Sequence, residues 1–218
     1  MIRITSVTVG ELAVNCYIVT DEATGKTAVI DPGKFTVGLD AAVKAAGYDN
    51  LEYILLTHGH FDHIAGVEQL QKKSGGKVKT AIGKLDAPLL SDARANLSVM
   101  FFGTPITCAP ADILLEDGDE ITLGESTFKV INTPGHTAGS VCFVCGSDIF
   151  SGDTLFRRSA GRTDFPTGSI NALMRSLSRL AALPGSYAVH PGHDSETTLD
   201  EERKANPYLS ADHGYNFI

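Results

Sequence analysis

The sequence lacks what a membrane protein, a nucleic-acid binder or a disulfide-stapled secreted domain would need. No apolar run approaches the roughly 20 residues of a membrane-spanning helix. The N-terminal stretch, Met1 to Val7, alternates like a strand. It has no basic start, continuous apolar core or small-residue cleavage site, so it does not read as a signal peptide. The cytoplasm is therefore the expected location, and a membrane is not an expected partner. Positive charge is in the minority: 18 Lys and Arg stand against 26 Asp and Glu, a formal net charge of -8. A nucleic-acid surface needs a basic face, so nucleic acid is not an expected partner either. Cysteine is sparse and scattered, at Cys16, Cys108, Cys142 and Cys145, which excludes a disulfide framework. Cys142 and Cys145 have the CxxC spacing but no second pair. Their surroundings read as a buried strand, on which residues three apart face opposite ways. Two core thiols are expected. There is no Gly-x-Ser-x-Gly elbow to carry a serine nucleophile. The 218 residues suffice to bury a core without staples. No composition break marks a linker, so one domain over residues 1–218 is expected.

What the sequence does have is histidine at strand ends. Three of its seven histidines fall in Thr57-His58-Gly59-His60-Phe61-Asp62-His63. The apolar run Leu51 to Leu56 before it reads as a buried strand. Ile64, Val67 and Leu70 after it are spaced as on one face of a helix. The cluster therefore sits on a strand-to-helix loop, where α/β folds place chemistry. Neutral imidazole nitrogens and carboxylate oxygens are ligands for zinc and similar divalent ions.

Along the rest of the chain, Ile2 to Val9, Ala13 to Thr20 and Lys26 to Ile30 read as an antiparallel meander. Asp31-Pro32-Gly33 ends it, and Asp31 reads first as a turn former and second as an acceptor behind a ligand histidine. Helices are expected over Leu39 to Ala46, Asp86 to Leu97, Ser169 to Leu183 and Leu199 to Ala205. Strands are expected over Val78 to Ile82, Ile113 to Leu115, Ser126 to Asn132, Val141 to Cys145, Asp148 to Phe150 and Tyr187 to Val189. The acidic run Glu116 to Glu120 lacks calcium-loop spacing and reads as a solvated hairpin. The irregular stretch Asn96 to Pro110 reads either as a substrate-facing insertion or as a plain connection. The two halves echo each other, the first ending its strands in an acidic turn at Asp31 and the second at Asp153.

His136 and His193 each follow a strand beside a glycine, and Asp153 ends a strand in a Gly-Asp turn. With the opening loop they make seven candidate ligands: His58, His60, Asp62, His63, His136, Asp153 and His193. Seven suit two ions better than one. His58, His60 and His136 would hold the first, Asp62, His63 and His193 the second, with Asp153 bridging. Ions so paired share a water that ionises near neutral pH. Asp62 and Asp153 are the catalytic carboxylates of this reading. His190 reads as a structural histidine and His213 as a solvated one in the polar tail.

This set resembles the metallo-β-lactamase superfamily: the HxHxDH signature at 58–63, Gly-His at 135–136 and 192–193, and Gly-Asp at 152–153. The resemblance implies a four-layer αββα sandwich, with the same seven ligands at one edge of the paired sheets. Within the superfamily the chain looks like a short bacterial form of glyoxalase II, the hydroxyacylglutathione hydrolases. Thr133 to Thr137, Gly152 to Phe156 and Gly161 to Phe165 carry that likeness. It implies hydrolysis of a small-molecule thioester such as S-lactoylglutathione, with two divalent ions, zinc before iron or manganese. The chain ends too soon for that family's C-terminal helical domain. By position Arg162 falls where the family holds a glutathione carboxylate, although Asp164 stands ready to pair with it instead. Arg157 and Arg158 read as surface charges. Arg162 to Phe165 also resembles the persulfide dioxygenases, which use one iron in the same fold. Lactonases and β-lactamases are the remaining alternatives.

Overall fold

The computed structural model describes residues 1–209; His213 and the rest of the tail lie outside them. The expected meander is β1 (Ile2–Val9), β2 (Val14–Asp21) and β3 (Thr27–Ile30), all antiparallel. Helix α1 (Val37–Ala46) follows, capped by Thr36, whose hydroxyl accepts the Leu39 N–H. It returns the chain to β4 (Leu51–Leu56), parallel to β3. The histidine loop runs into α2 (Phe61–Ile64) and α3 (Val67–Lys73). Next come β5 (Lys79–Gly83), α4 (Ser98–Phe102) and β6 (Ile113–Leu115), which complete the first six-stranded sheet with parallel pairs.

The second sheet repeats the plan. β7 (Glu120–Leu123), β8 (Ser126–Asn132), β9 (Val141–Cys145) and β10 (Asp148–Gly152) are an antiparallel meander. A short hairpin of β11 (Leu155–Phe156) and β12 (Ser159–Ala160) precedes α5 (Ile170–Ala181). The chain then returns as β13 (Ala188–Pro191), parallel to β10, and ends in β14 (Thr197–Thr198) and α6 (Leu199–Ala205). The echo between Asp31 and Asp153 is thus topological. In each half a meander ends in an aspartate, and after a helical excursion a strand returns parallel to the meander's last.

Period-two alternation sorts the strands into three cores. Cys16, Ile18, Ile54 and Leu56 pack with Leu39, Val43, Val67 and Leu70 of α1 and α3. Tyr17, Val19 and Leu55, on the other face of the same strands, meet Phe128, Phe143 and Phe150 between the sheets. Ile131, Cys142 and Ile149 face Leu173, Leu177 and Leu180 of α5 and Leu199 of α6. Three cores between four layers make the αββα sandwich. Cys142 and Cys145 are free, buried and on opposite faces of β9, one thiol in each of two cores.

Two local expectations change. Asp86 to Leu97 is not one helix. A single 3-10 turn, Ala87–Leu90, carries Pro88, and the Asp92 carboxylate then takes the Arg94 and Ala95 N–H groups, a local bond that competes with helix. Glu116 to Glu120 is not a hairpin: β6 closes the first sheet and β7 opens the second, so the acidic turn carries the chain across the sandwich.

The sheets approach closely where β5 ends. A Cβ on Gly83 would lie 2.0 Å from the Gly139 carbonyl oxygen, so backbone would have to move. Gly83→Ala is expected to cost about 1–3 kcal/mol, a drop of several degrees in Tm. Gly38→Ala is the contrast: inside α1, its Cβ would meet only side-chain atoms at ordinary contact distance, Val7 Cγ1 at 3.5 Å and Thr36 Oγ1 at 3.7 Å. It should be neutral or stabilising by up to about 1 kcal/mol. Thermal unfolding of both variants tests the packing.

Candidate metal centre

The site forms where β4, β8, β10 and β13 end on one edge of the sandwich. Asp31 pins the first of these ends. Its backbone is in the left-handed region (φ 49°), and its carboxylate is buried. Oδ1 accepts the Thr57 N–H (2.8 Å); Oδ2 accepts the Thr57 hydroxyl (2.6 Å) and His63 Nδ1–H (3.0 Å). The turn reading of Asp31 is therefore incomplete, because it orients a histidine as well. At the end of β10 a bulge between Phe150 and Gly152 shifts the pairing with β13 and redirects the chain into Asp153.

Four rings are held from behind in one tautomer. With the Thr57 hydroxyl donating to Asp31, His58 Nδ1–H donates to Thr57 Oγ1 at 3.1 Å. His63 Nδ1–H goes to Asp31, His136 Nδ1–H to the Arg162 carbonyl (2.8 Å) and His193 Nδ1–H to the Leu12 carbonyl (3.0 Å). Each ring thereby turns its Nε2 toward a common centre, the usual orientation of a ligand histidine. His60 presents Nδ1 instead, 2.9 Å from His136 Nε2.

All seven expected residues come together. His58, His60 and His136 form one group, Asp62, His63 and His193 another, and Asp153 joins His58 and His63 in a third; the facing atoms of each lie within 4.8 Å. Asp153 spans the centre, with Oδ1 3.5 Å from His63 Nε2 and Oδ2 3.6 Å from both His136 Nε2 and His193 Nε2. Asp62 Oδ2 is 3.4 Å from His193 Nε2 and 3.7 Å from His63 Nε2. Ligands tetrahedral about one zinc ion stand about 3.3–3.5 Å apart, so these spacings fit. The orphaned atoms fit as well. Buried His58 Nε2, His63 Nε2 and Asp153 Oδ1 have no hydrogen-bond partner, a costly arrangement that a divalent ion would satisfy.

The electrostatics suit a cation. Burial, then the His63 and His136 rings, push His58 well below its ordinary pKa; burial and His136 take His60 to about 3. Burial also works against protonated His63, but Asp62, Asp153 and Asp31 outweigh it and raise the ring to about 10. Burial would raise Asp62, yet His63 and the hydrogen bond from His193 hold it at about 2.

Asp86 escaped the sequence reading. Its buried carboxylate accepts the Gly59 N–H (2.9 Å), the Thr137 hydroxyl (2.7 Å) and the Gly139 N–H (2.8 Å). It thus ties the loop of His58 and His60 to the loop of His136. Like Asp31 and Asp153, it follows a strand end closely, the one signal that could have found it. His190 is structural, as expected: Nδ1 faces Glu196 (2.9 Å) and Nε2 faces Asp148 (2.8 Å). Arg162 pairs through two hydrogen bonds of 2.7 Å with Asp164 and lies 3.9 Å over the Phe165 ring. Arg157 and Arg158 are exposed.

A sequence profile of the metallo-beta-lactamase superfamily matches residues 9–193. The chain is 34% identical to a probable metallo-hydrolase of Bacillus subtilis, YqgX, over 93% of this chain and 95% of the relative. Among solved structures it resembles the B3 metallo-beta-lactamase BLEG-1, at 32% identity and a TM-score of 0.85, covering 96% of this chain and all of that one. TTHA1623, solved in a di-iron-bound form, is 38% identical at a TM-score of 0.81, over 94% of this chain and all of that one. ETHE1 from Myxococcus xanthus is 29% identical at 0.74, over 94% and 83%. No helix among the described residues is long and apolar enough to cross a membrane. By the profile, by relatives aligned nearly end to end and by its two-sheet architecture, the chain belongs to the metallo-beta-lactamase superfamily.

Proposed function

We propose that this chain is a two-metal hydrolase of small-molecule thioesters of the S-acylglutathione type. His58, His60 and His136 hold one ion, Asp62, His63 and His193 the other, and Asp153 lies between. The carrying observation is the position of Asp153 Oδ2, equally distant from His136 of the first group and His193 of the second. A divalent pair at such a centre would polarise a substrate carbonyl and lower the pKa of water. The protein's part is to fix seven donors before substrate arrives. Asp31 orients His63, Asp86 locks two ligand loops together, and Asp62 remains anionic down to about pH 2.

The nitrogen-and-oxygen donor set suits zinc; the di-iron form of TTHA1623 makes iron the alternative. The thioester reading rests on Thr133 to Thr137, Gly152 to Phe156 and Gly161 to Phe165. A cleft of about 430 Å³ over the donors matches a small molecule rather than a polymer. Neither nucleic acid nor a membrane is a partner in this reading. A second reading, an iron-dependent persulfide oxygenase, is favoured by Arg162 to Phe165 and by the likeness to ETHE1. That chemistry needs one ion, and the complete second donor group counts against it.

Metal analysis of the purified protein with an assay panel decides between them. The account expects about two divalent ions per chain and turnover of S-lactoylglutathione or other acyl thioesters. One iron per chain with oxygen uptake on glutathione persulfide would establish the second reading, and turnover of nitrocefin or a lactone alone would point to the remaining branches. Asp153→Asn should reduce metal content and activity together, activity by about 100-fold or more; intact activity would refute the bridging role. Asp86→Asn should weaken metal affinity by about 10–100-fold, the usual effect of a group behind the ligands. Metal titration of the variant measures it.

A further inference from the structure

The cleft, lined by five of the seven donors (His60, Asp62, His136, Asp153 and His193), has a wall of carbon. Among the described lining residues that are not donors, only Ser159, Arg162 and Asp194 are polar. Aromatic rings run from the donors to the mouth and back in unbroken contact. His60 meets Phe165 at 5.9 Å between centroids, Phe165 meets Phe101 at 5.8 Å, and Phe101 meets Phe61 at 5.7 Å. Leu12, from the turn between β1 and β2, lines the same cleft. Phe101 and Leu12 are 45% and 41% exposed, large apolar surface at the mouth of a site.

This wall is built. Buried Asn96 clamps the segment that carries Phe101: its amide donates to the Leu89 and Ile106 carbonyls at 3.1 and 2.8 Å, and its side-chain oxygen accepts the Ser98 N–H at 3.0 Å. The Asn96 carbonyl accepts the Phe61 N–H, which joins the segment to the start of α2 and so to Asp62 and His63. Leu97 takes a left-handed backbone (φ 73°) to start α4 there. Meanwhile Arg162 donates from Nε and Nη2 to Asp164 and stacks on Phe165. The cleft thus offers mainly carbon surface, and Arg162, the cation that lines it, is drawn to Asp164.

We propose that Phe101, Phe165 and Leu12 form an acyl subsite, and that the preferred substrates are thioesters whose acyl group is longer and more apolar than lactoyl. This rests on the thioesterase reading and names its substrate class. The subsite receives the chain beyond the reacting carbonyl, because the wall rises from the donor His60 through Phe165 to Phe101, which is exposed at the mouth. Burial of a methylene on such a surface gives up to about a fourfold gain per carbon.

The test uses the metal-loaded enzyme and S-acetyl-, S-butyryl-, S-hexanoyl- and S-octanoylglutathione. Wild-type kcat/KM is expected to rise about two- to fourfold per methylene up to hexanoyl. Phe101→Ala and Leu12→Ser should each cut the hexanoyl-to-acetyl ratio at least fivefold. A binding readout stands apart from turnover. The chain has no tryptophan, so Phe101→Trp carries its lone indole, excited selectively at wavelengths its tyrosines do not absorb. Its emission should shift saturably with S-hexylglutathione, a thioether that cannot be hydrolysed, and tighter than with S-methylglutathione. Chain-length-dependent binding without thioester turnover would uphold the subsite and refute the thioesterase. Turnover and binding both indifferent to chain length would overturn the subsite.

Discussion

The structure turns on buried atoms that the protein leaves unpaired. His58 Nε2, His63 Nε2 and Asp153 Oδ1 are shut away from water without a hydrogen bond. Each such group costs about 1–3 kcal/mol, and the imidazoles around them stand in mutual contact, as with His58 and His63 at 4.1 Å between centroids. A fold tolerates this only if the backs of the rings are fixed. Thr57, Asp31 and the carbonyls of Leu12 and Arg162 supply that fixing. His60 Nδ1 and His136 Nε2 meet at 2.9 Å, but the three orphaned atoms find no such partner, and a cation is what relieves them. On this account the centre's strain and its preorganisation are one property.

The two sheets divide the labour. The first contributes the loop of His58 to His63 at the end of β4, and Asp31 at the end of β3. The second contributes His136, Asp153 and His193 from the ends of β8, β10 and β13. Neither half closes the site, and the groups that join them are polar and buried. Asp86 bonds to Gly59 on one side and to Thr137 and Gly139 on the other. Asn15 and Tyr17 of β2 donate to the Pro191 carbonyl, steadying the turn that presents His193. The inter-sheet core of Tyr17, Phe128 and Phe150 sets the spacing on which these bonds depend.

Much of this was legible in the sequence where the determinant is local. Histidines two apart after an apolar run, a Gly-His and a Gly-Asp at strand ends, and alternating apolar residues each carry their meaning within a few positions. The seven donors and most element bounds follow. What was not legible depends on partners distant in the chain. Asp31 reads first as a turn aspartate and second as an acceptor behind a histidine until the fold brings His63 against it, and Asp86 has no local signature of the loops it joins. The acidic turn after Leu115 looks like a hairpin because sheet membership is not a local property. The segment around Phe101 was open between insertion and connection, since the clamp by Asn96 involves residues on both sides of it. Arg162 and Asp164, two apart on an exposed stretch, could be foreseen as a pair, and they are one.

The central claim is that Asp153 stands between two ions. Anomalous diffraction from crystals of the metal-loaded protein, collected at the metal's absorption edge, tests it most directly. The account predicts two peaks about 3.5–4 Å apart, one among His58, His60 and His136, the other among Asp62, His63 and His193, with the Asp153 carboxylate touching both. A single peak under saturating metal, or two peaks with Asp153 turned away from one of them, would contradict it.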